Sequence, residues 1–169
     1  MVQKIKEVCY VGVERRDWWN SPVPEIPEME YVLPQGTSIF IGNERIRCPE
    51  PLFSPHLIGL SMCGLHDVAY NSVMKCKERA PLYENIVLAG GNTLFRGFGD
   101  RIKICMEELT PSKTVINVIE PENRIHSAWI GGATLASSPD FEEKWITSQE
   151  YQEFGVSILK RKCVQQRNY

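Results

Sequence analysis

The sequence has no long apolar run and almost no excess of either charge. No hydrophobic stretch approaches the ~18 residues that a membrane-spanning helix needs. The net charge is −2 over 169 residues, so electrostatics gives no reason to expect nucleic acid or an anionic membrane as the main partner. The first ten residues lack the apolar core and cleavage site of a secretory signal. We therefore expect a chain that neither binds nucleic acid directly nor acts at a membrane.

The six cysteines lack the spacing of a metal or redox motif. No two of them form a Cys-x-x-Cys pair, and no histidine has zinc-finger spacing to two of them. This pattern predicts reduced thiols, several of them buried, as in cytosolic and nuclear proteins. The sequence predicts no metal ligands, and no residue stands out as catalytic. The cysteines are Cys9, Cys48, Cys63, Cys76, Cys105 and Cys163.

Regular structure is excluded from residues 14–30, where Pro22, Pro24 and Pro27 fall within six positions. Each proline removes a backbone donor and restricts the residue before it. This stretch is predicted to be a surface loop. Its Trp18–Trp19 pair is explained more simply by packing on its own domain than by binding a partner.

Strand and helix patterns alternate along the rest of the chain. A hairpin is predicted from Tyr31 to Phe40, and a helix from Asp67 to Cys76 with Val68, Ser72, Val73 and Cys76 on its buried side. Short strands are predicted at 86–89 and 115–119. A small-residue helix is predicted at 127–137 and a capping box at 147–150. The alternation predicts an α/β fold.

The stretch VLAGGNTLFRGFGDRI (87–102) predicts a strand, a glycine-rich turn and a helix. Apolar residues then recur at Phe98, Ile102, Cys105 and Leu109, which is one face of a helix. The turn falls at the carboxyl end of a strand, where open α/β sheets bind ligands. It has neither the order GxGxxG nor the order GxxxxGK[ST]. From the pattern, tight strand–helix packing and ligand binding both remain possible.

Several longer blocks resemble the C-terminal portion of actin and its relatives. They are GNERIRCPEPLF, NSVMKC, LYENIVLAGGNTLF, RIHSAWIGGATLASSPDFEEKWITSQEYQEFG and the late RKC. The blocks occur in the family's order over nearly the whole chain. The resemblance implies the C-terminal part of the actin-like fold, which is the ribonuclease H-like or Hsp70-type ATPase fold.

The resemblance also implies three regions. Residues 1–60 would form part of the small outer lobe, and residues 61–126 the second half of the inner α/β lobe. Residues 127–169 would be the C-terminal helices, which pack on the other lobe in relatives. Residues 55–59 match a loop that lies between filament strands in actin.

Family members bind ATP or ADP with Mg²⁺, and the resemblance implies which residues here would form the adenosine side of that pocket. Actins usually have a lysine where this chain has Ile125, so one cation is lost there. The implied binding residues are Lys6, Glu7, Gly90, Gly91, Asn92, Leu94, Phe95 and Ile125.

The sequence contains neither of the DxGxG hairpins with which actins hold phosphates. Phosphoryl transfer needs charge neutralisation and an oriented nucleophile, so ATPase activity is expected only together with an N-terminal half that carries those hairpins. Two hypotheses follow. One is a non-catalytic, actin-like structural protein of the cytoskeleton or a larger assembly, in the cytoplasm or the nucleus. The other is the C-terminal half of an ATP-binding, filament-forming ATPase. In both, the partners would be other actin-like subunits or further proteins.

Overall fold

The computed structural model describes residues 2–12 and 26–164. Trp18–Trp19 and most of the predicted proline-rich loop lie outside these ranges. The chain divides after His126 into two compact units, residues 1–126 and 127–169. No helix in the described ranges is long and apolar enough to cross a membrane.

The first unit begins with helix α1 (Val2–Lys6). The predicted hairpin is confirmed, but its first strand begins at Met29, so the exclusion of regular structure up to residue 30 is wrong at its end. Strands β1 (Met29–Val32) and β2 (Ser38–Ile41) pair antiparallel, with Tyr31 opposite Ile39. The turn is closed by the Gly36 N–H, which donates to the Leu33 carbonyl at 2.8 Å. A φ of +85° at Gly36 explains the need for glycine there.

Short helical segments follow the hairpin. Helix α2 spans Glu44–Arg47, and 3₁₀ turns span Glu50–Leu52 and Pro55–Ile58. Helix α3 spans Leu65–Met74 and helix α4 spans Ala80–Tyr83.

The predicted buried side of α3 is wrong in part. Val73 packs on the core together with Ala69 and Tyr70. In contrast, Val68, Ser72 and Cys76 are exposed. The helix begins two residues earlier than predicted, and residues 69, 70 and 73 have the i, i+1, i+4 spacing of one helical face.

A parallel strand pair organises the rest of this unit. Strand β3 (Ile86–Val87) pairs with β4 (Val118–Ile119), and helix α5 (Phe98–Leu109) connects them. Tyr10 makes a further parallel bridge to Arg96. This βαβ arrangement confirms the predicted mixture of helix and sheet, although the strands are shorter than predicted.

Helix α5 supplies the centre of the core. Phe98, Ile102, Cys105 and Met106 are all buried on it, and Leu109 is half-buried. The predicted face is therefore confirmed with Met106 added. The helix ends at Leu109, and its C-cap Thr110 is extended, as a following proline favours for the residue before it. Other elements complete the core with Cys9, Val11, Phe53, Tyr83, Leu88, Phe95 and Ile116.

A buried ion pair fixes α5 to the 3₁₀ turn at Glu50–Leu52. Arg101 Nη2 lies 3.0 Å from Glu50 Oε1, with both side chains at most 5% exposed. Arg101 Nη1 also donates to the Gly12 carbonyl at 2.7 Å. Breaking such a pair leaves an uncompensated charge in the core, so it holds the N-terminal segment, the turn and α5 in one arrangement.

The second unit is helical. It contains α6 (Ser127–Ala136), a 3₁₀ segment at Pro139–Lys144, α7 (Ser148–Phe154) and α8 (Ser157–Val164). The predicted capping box on α7 is confirmed: the Glu150 N–H donates to Thr147 Oγ1 at 3.2 Å, and the Thr147 N–H donates to Glu150 Oε2 at 2.9 Å. Helix α6 confirms the predicted small-residue helix and contains Gly131 and Gly132. A Cβ at either glycine would meet no described atom within 4 Å.

Candidate functional site

The candidate site lies where the carboxyl ends of β3 and β4 meet. Strand β3 continues into Gly90 and a 3₁₀ turn at Gly91–Leu94, while β4 continues into residues 120–125. Because parallel strands end at the same edge of a sheet, these two segments become neighbours. The end of α1 contributes the third segment.

Two glycines shape the turn. Gly90 has φ +92° and Gly97 has φ +78°, and L-residues with side chains rarely adopt either conformation. Gly90 is the residue directly before the 3₁₀ turn, and Gly97 is the residue directly before α5. Between them, Thr93 Oγ1 donates to the Gly90 carbonyl at 2.7 Å, which closes the turn on itself.

The turn is joined to the end of α1 through one side-chain contact. Lys6 Nζ donates to Asn92 Oδ1 at 2.8 Å. The same ammonium lies 5.4 Å from the centroid of the Phe95 ring, within cation–π distance. The hydrogen bond joins residues 86 positions apart in the sequence. They place a cation at the edge of the glycine-rich turn.

Seven of the eight predicted binding residues line one cavity of about 360 Å³: Lys6, Glu7, Gly91, Asn92, Leu94, Phe95 and Ile125. This volume lies within the range of about 300–1,000 Å³ that small-molecule sites occupy. Three of these side chains are apolar, and the charged pair is Lys6 and Glu7. Gly90 is not part of the lining and instead sets the path of the turn.

Arg124 is a residue that the sequence interpretation missed. Its carbonyl accepts a 2.7 Å hydrogen bond from the Gly90 N–H, and its Nε donates to the Thr93 carbonyl at 3.2 Å. Its Nη2 forms an ion pair of 3.1 Å with Glu120 Oε2. Arg124 therefore stabilises the glycine-rich turn through its contacts with Gly90 and Thr93. The sequence offered one signal for this role, because Arg124 directly precedes the predicted binding residue Ile125.

A buried thiol lies next to the α1 segment. The Cys9 thiol donates to the Ile5 carbonyl at 3.8 Å. Burial and the adjacent Cys48 thiol raise the pKa of Cys9 to about 11. Cys9 therefore stays neutral at physiological pH, which suits a packing role beside the site rather than a nucleophilic one.

The sequence was also compared with known protein families. The family model described as Actin matches residues 1–164. The chain belongs to the actin family. This membership implies an actin-like ATPase fold, which agrees with the mixed helix and sheet of the structure.

Family membership makes this cavity the candidate site, because most of the residues predicted from the actin resemblance to contact adenosine line it. The cavity holds one cation, one carboxylate and three apolar side chains. Over residues 2–12 and 26–164, no group of three or more His, Cys, Asp or Glu side chains is placed to hold a metal ion.

Proposed function

We propose that this actin-family chain is a structural, complex-forming protein whose cavity takes the adenosine part of an adenine nucleotide. The observation that supports this proposal is the convergence of seven residues from three chain segments on one cavity. The chain would correspond to the C-terminal portion of the family fold. Its partners would be other actin-like subunits or a larger assembly of the cytoskeleton, in the cytoplasm or the nucleus.

The cavity suits a nucleoside chemically. Leu94, Phe95 and Ile125 offer apolar surface to the faces of a flat base. The Glu7 carboxylate can only accept hydrogen bonds when ionised, and ribose hydroxyls can donate them. Lys6 would lie beside the base or the ribose, with its ammonium already oriented by Asn92.

The second hypothesis is that these residues are the C-terminal half of an ATP-binding, filament-forming ATPase. Under it, the phosphates and Mg²⁺ would be held by DxGxG hairpins that this sequence does not contain. Such hairpins would supply the charge neutralisation that phosphoryl transfer needs. The chain by itself would then bind the base and ribose without catalysing hydrolysis.

Calorimetric titration of the purified chain with adenosine, ADP and ATP tests whether the cavity takes the adenosine part of a nucleotide, which both hypotheses require. We expect adenosine and ATP to bind with similar affinity, and Mg²⁺ to have little effect. Micromolar, Mg²⁺-dependent ATP binding would contradict the non-catalytic hypothesis. Absence of any adenosine binding would contradict the assignment of the cavity itself.

A matched pair of lysine variants locates the binding. Lys6→Met removes the cation of the cavity and is expected to weaken adenosine binding about tenfold, since a charged hydrogen bond contributes about 1.5–3 kcal/mol. Lys103→Met removes an exposed lysine of α5 outside the cavity lining. It should leave binding unchanged. Equal losses in both variants would show that the binding is non-specific.

A further inference from the structure

A second cavity, of about 470 Å³, adjoins the first within residues 1–126. Its walls come from the segment after α2 and from the start of α3. The large apolar side chains in it are Leu52, Ile58, Leu60, Met62, Leu65 and Val68. Lys6, Asn92 and Phe95 line both cavities and therefore form a shared wall.

The apolar lining of this second cavity is open to water. Ile58 is 59% exposed, Met62 61% and Val68 47%. Large apolar side chains gathered around one concavity are typical of ligand sites, and covering them removes apolar surface from water. The exposed position of Val68 on α3 has its explanation here, because this side of the helix faces the cavity instead of the core.

The charge of the lining is as informative as its apolar surface. Lys6 is the single charged residue among those that line the cavity, and no carboxylate lines it. Within the described ranges, no carboxylate lies within ion-pair distance of Lys6 Nζ. An ammonium has three N–H donors, and Asn92 accepts from one of them. The cavity lining therefore combines one donor cation with mostly apolar side chains.

We propose that this second cavity binds a small monoanionic amphiphile. Its apolar body would lie against Ile58, Leu65 and Val68, and its carboxylate or sulfonate head would accept hydrogen bonds from Lys6 Nζ. Engaging Lys6 from this side draws the ammonium away from the adenosine cavity. The amphiphile should therefore weaken nucleoside binding, and the nucleoside should weaken amphiphile binding by the same factor. Only this coupling depends on the proposed function.

Three ligands with one chain length and different head groups test the proposal: decanoate, decanol and decyltrimethylammonium. Each is titrated into the full chain below its micelle concentration or, for decanol, below its solubility limit, and binding is followed by calorimetry. Decanoate is expected to bind about tenfold more tightly than the other two, because only its head group carries the negative charge that forms an ion pair with Lys6. Equal affinity for all three would overturn the proposal.

Variants then assign the binding to this cavity. Leu65→Glu places a carboxylate in the lining at the first turn of α3, a position where an acidic residue favours the helix. It should abolish decanoate binding, and Met62→Gln should weaken it. Val32→Glu changes a comparably exposed apolar residue of β1 outside the cavity and should have no effect. Circular dichroism confirms that each variant is folded.

Two further results would overturn the proposal. One is decanoate binding that survives Leu65→Glu. The other is a dimer of the chain, seen by sedimentation, that Leu65→Glu dissociates while decanoate fails to bind, since a second copy would then cover the cavity. Adenosine binding is measured on the same samples. Its absence would contradict the proposed function and the coupling, while decanoate binding could still stand.

Discussion

The Gly90 N–H donates a 2.7 Å hydrogen bond to the Arg124 carbonyl, and this bond joins the turn after β3 to the segment after β4. The Arg124 side chain adds a second connection through the Thr93 carbonyl. Two segments that are more than thirty residues apart in the sequence are therefore held together at the candidate site.

Replacing Arg124 should weaken the connection between these two segments and lower the stability of the protein. Arg124→Ala removes the hydrogen bond to Thr93 and the ion pair with Glu120. We expect the free energy of unfolding to fall by about 1–2 kcal/mol, since a half-buried carbonyl loses a charged donor. Urea denaturation measures the change. Arg96→Ala, which removes an exposed arginine, is the control and should stay within about 0.5 kcal/mol of the original protein. Equal effects of the two variants would contradict the role of Arg124.

Two glycines should respond differently to alanine. A Cβ at Gly64 would lie 2.1 Å from the Phe53 carbonyl oxygen, which belongs to the backbone. Gly64→Ala should therefore lower the free energy of unfolding by about 1–3 kcal/mol. A Cβ at Gly99 would lie 2.1 Å from Glu120 Oε1, the end of a flexible and exposed side chain.

Gly99→Ala should consequently change stability by less than about 1 kcal/mol. Glu120 can rotate away, and losing its partly exposed ion pair with Arg124 is offset by the better helix propensity of alanine. Thermal or urea unfolding of both variants tests the contrast. A larger destabilisation by Gly99→Ala than by Gly64→Ala would contradict the prediction that the backbone contact at Gly64 is the more restrictive one.

The thiols should separate into two reactivity classes. Cys48, Cys63, Cys76 and Cys163 are exposed, whereas Cys9 and Cys105 are buried. With its pKa raised to about 11, Cys9 has about a thousandth of its thiol ionised at pH 8. Alkylation followed by mass spectrometry should modify four cysteines quickly, and the remaining two only after denaturation. Uniform modification of all six would contradict the burial of Cys9 and Cys105.

The same thiol gives a pH dependence of stability. The pKa of Cys9 is higher in the folded state than its ordinary value of 9.0. Its contribution to folding is thus fully present below pH 9 and is lost as the pH rises toward about 11. Cys9→Ser should reduce this alkaline loss, measured as the free energy of unfolding at pH 8 and pH 10.5. An unchanged slope would argue against a raised pKa.

The start of α7 should depend on its capping box. Thr147→Ala removes the cap and should destabilise the helix locally by about 1 kcal/mol. Hydrogen exchange of the α7 amides measures this effect. Ser148→Ala, one position later, leaves both capping hydrogen bonds in place and is the control. Faster exchange in both variants would indicate that the box is not the cause.

Acid should weaken the same box. Hydrogen bonds from Lys162 and from Thr147 hold the pKa of Glu150 below its usual 4.5. The stability that Glu150 provides is therefore present above pH 4.5 and is lost as the pH falls through its lower folded-state pKa. Protection of the α7 amides should decrease on acidification below 4.5. In Glu150→Gln this pH dependence should be absent.

Much of the local structure could be predicted because its causes lie within a few residues. The α5 face from Phe98 to Cys105 follows from helical spacing, and the Thr147–Glu150 box closes over three residues. The hairpin around Gly36 follows from turn chemistry. The buried side of α3 was predicted less well, because Val68 has the right polarity for a core but faces a cavity. Helical spacing limits which residues share a face, but it does not tell which face meets the core.

The sequence by itself determined the family, the α/β alternation and the residue types of the candidate site, since these depend on composition, order and local spacing. Only the tertiary structure decided that Lys6 would contact Asn92, 86 positions away, and that Arg124 would support the Gly90 turn. It also decided that Lys6 would line two adjoining cavities. These relationships depend on parallel strand pairing and on the contact between the end of α1 and the glycine-rich turn, and non-local contacts of this kind leave no periodic signal in the chain.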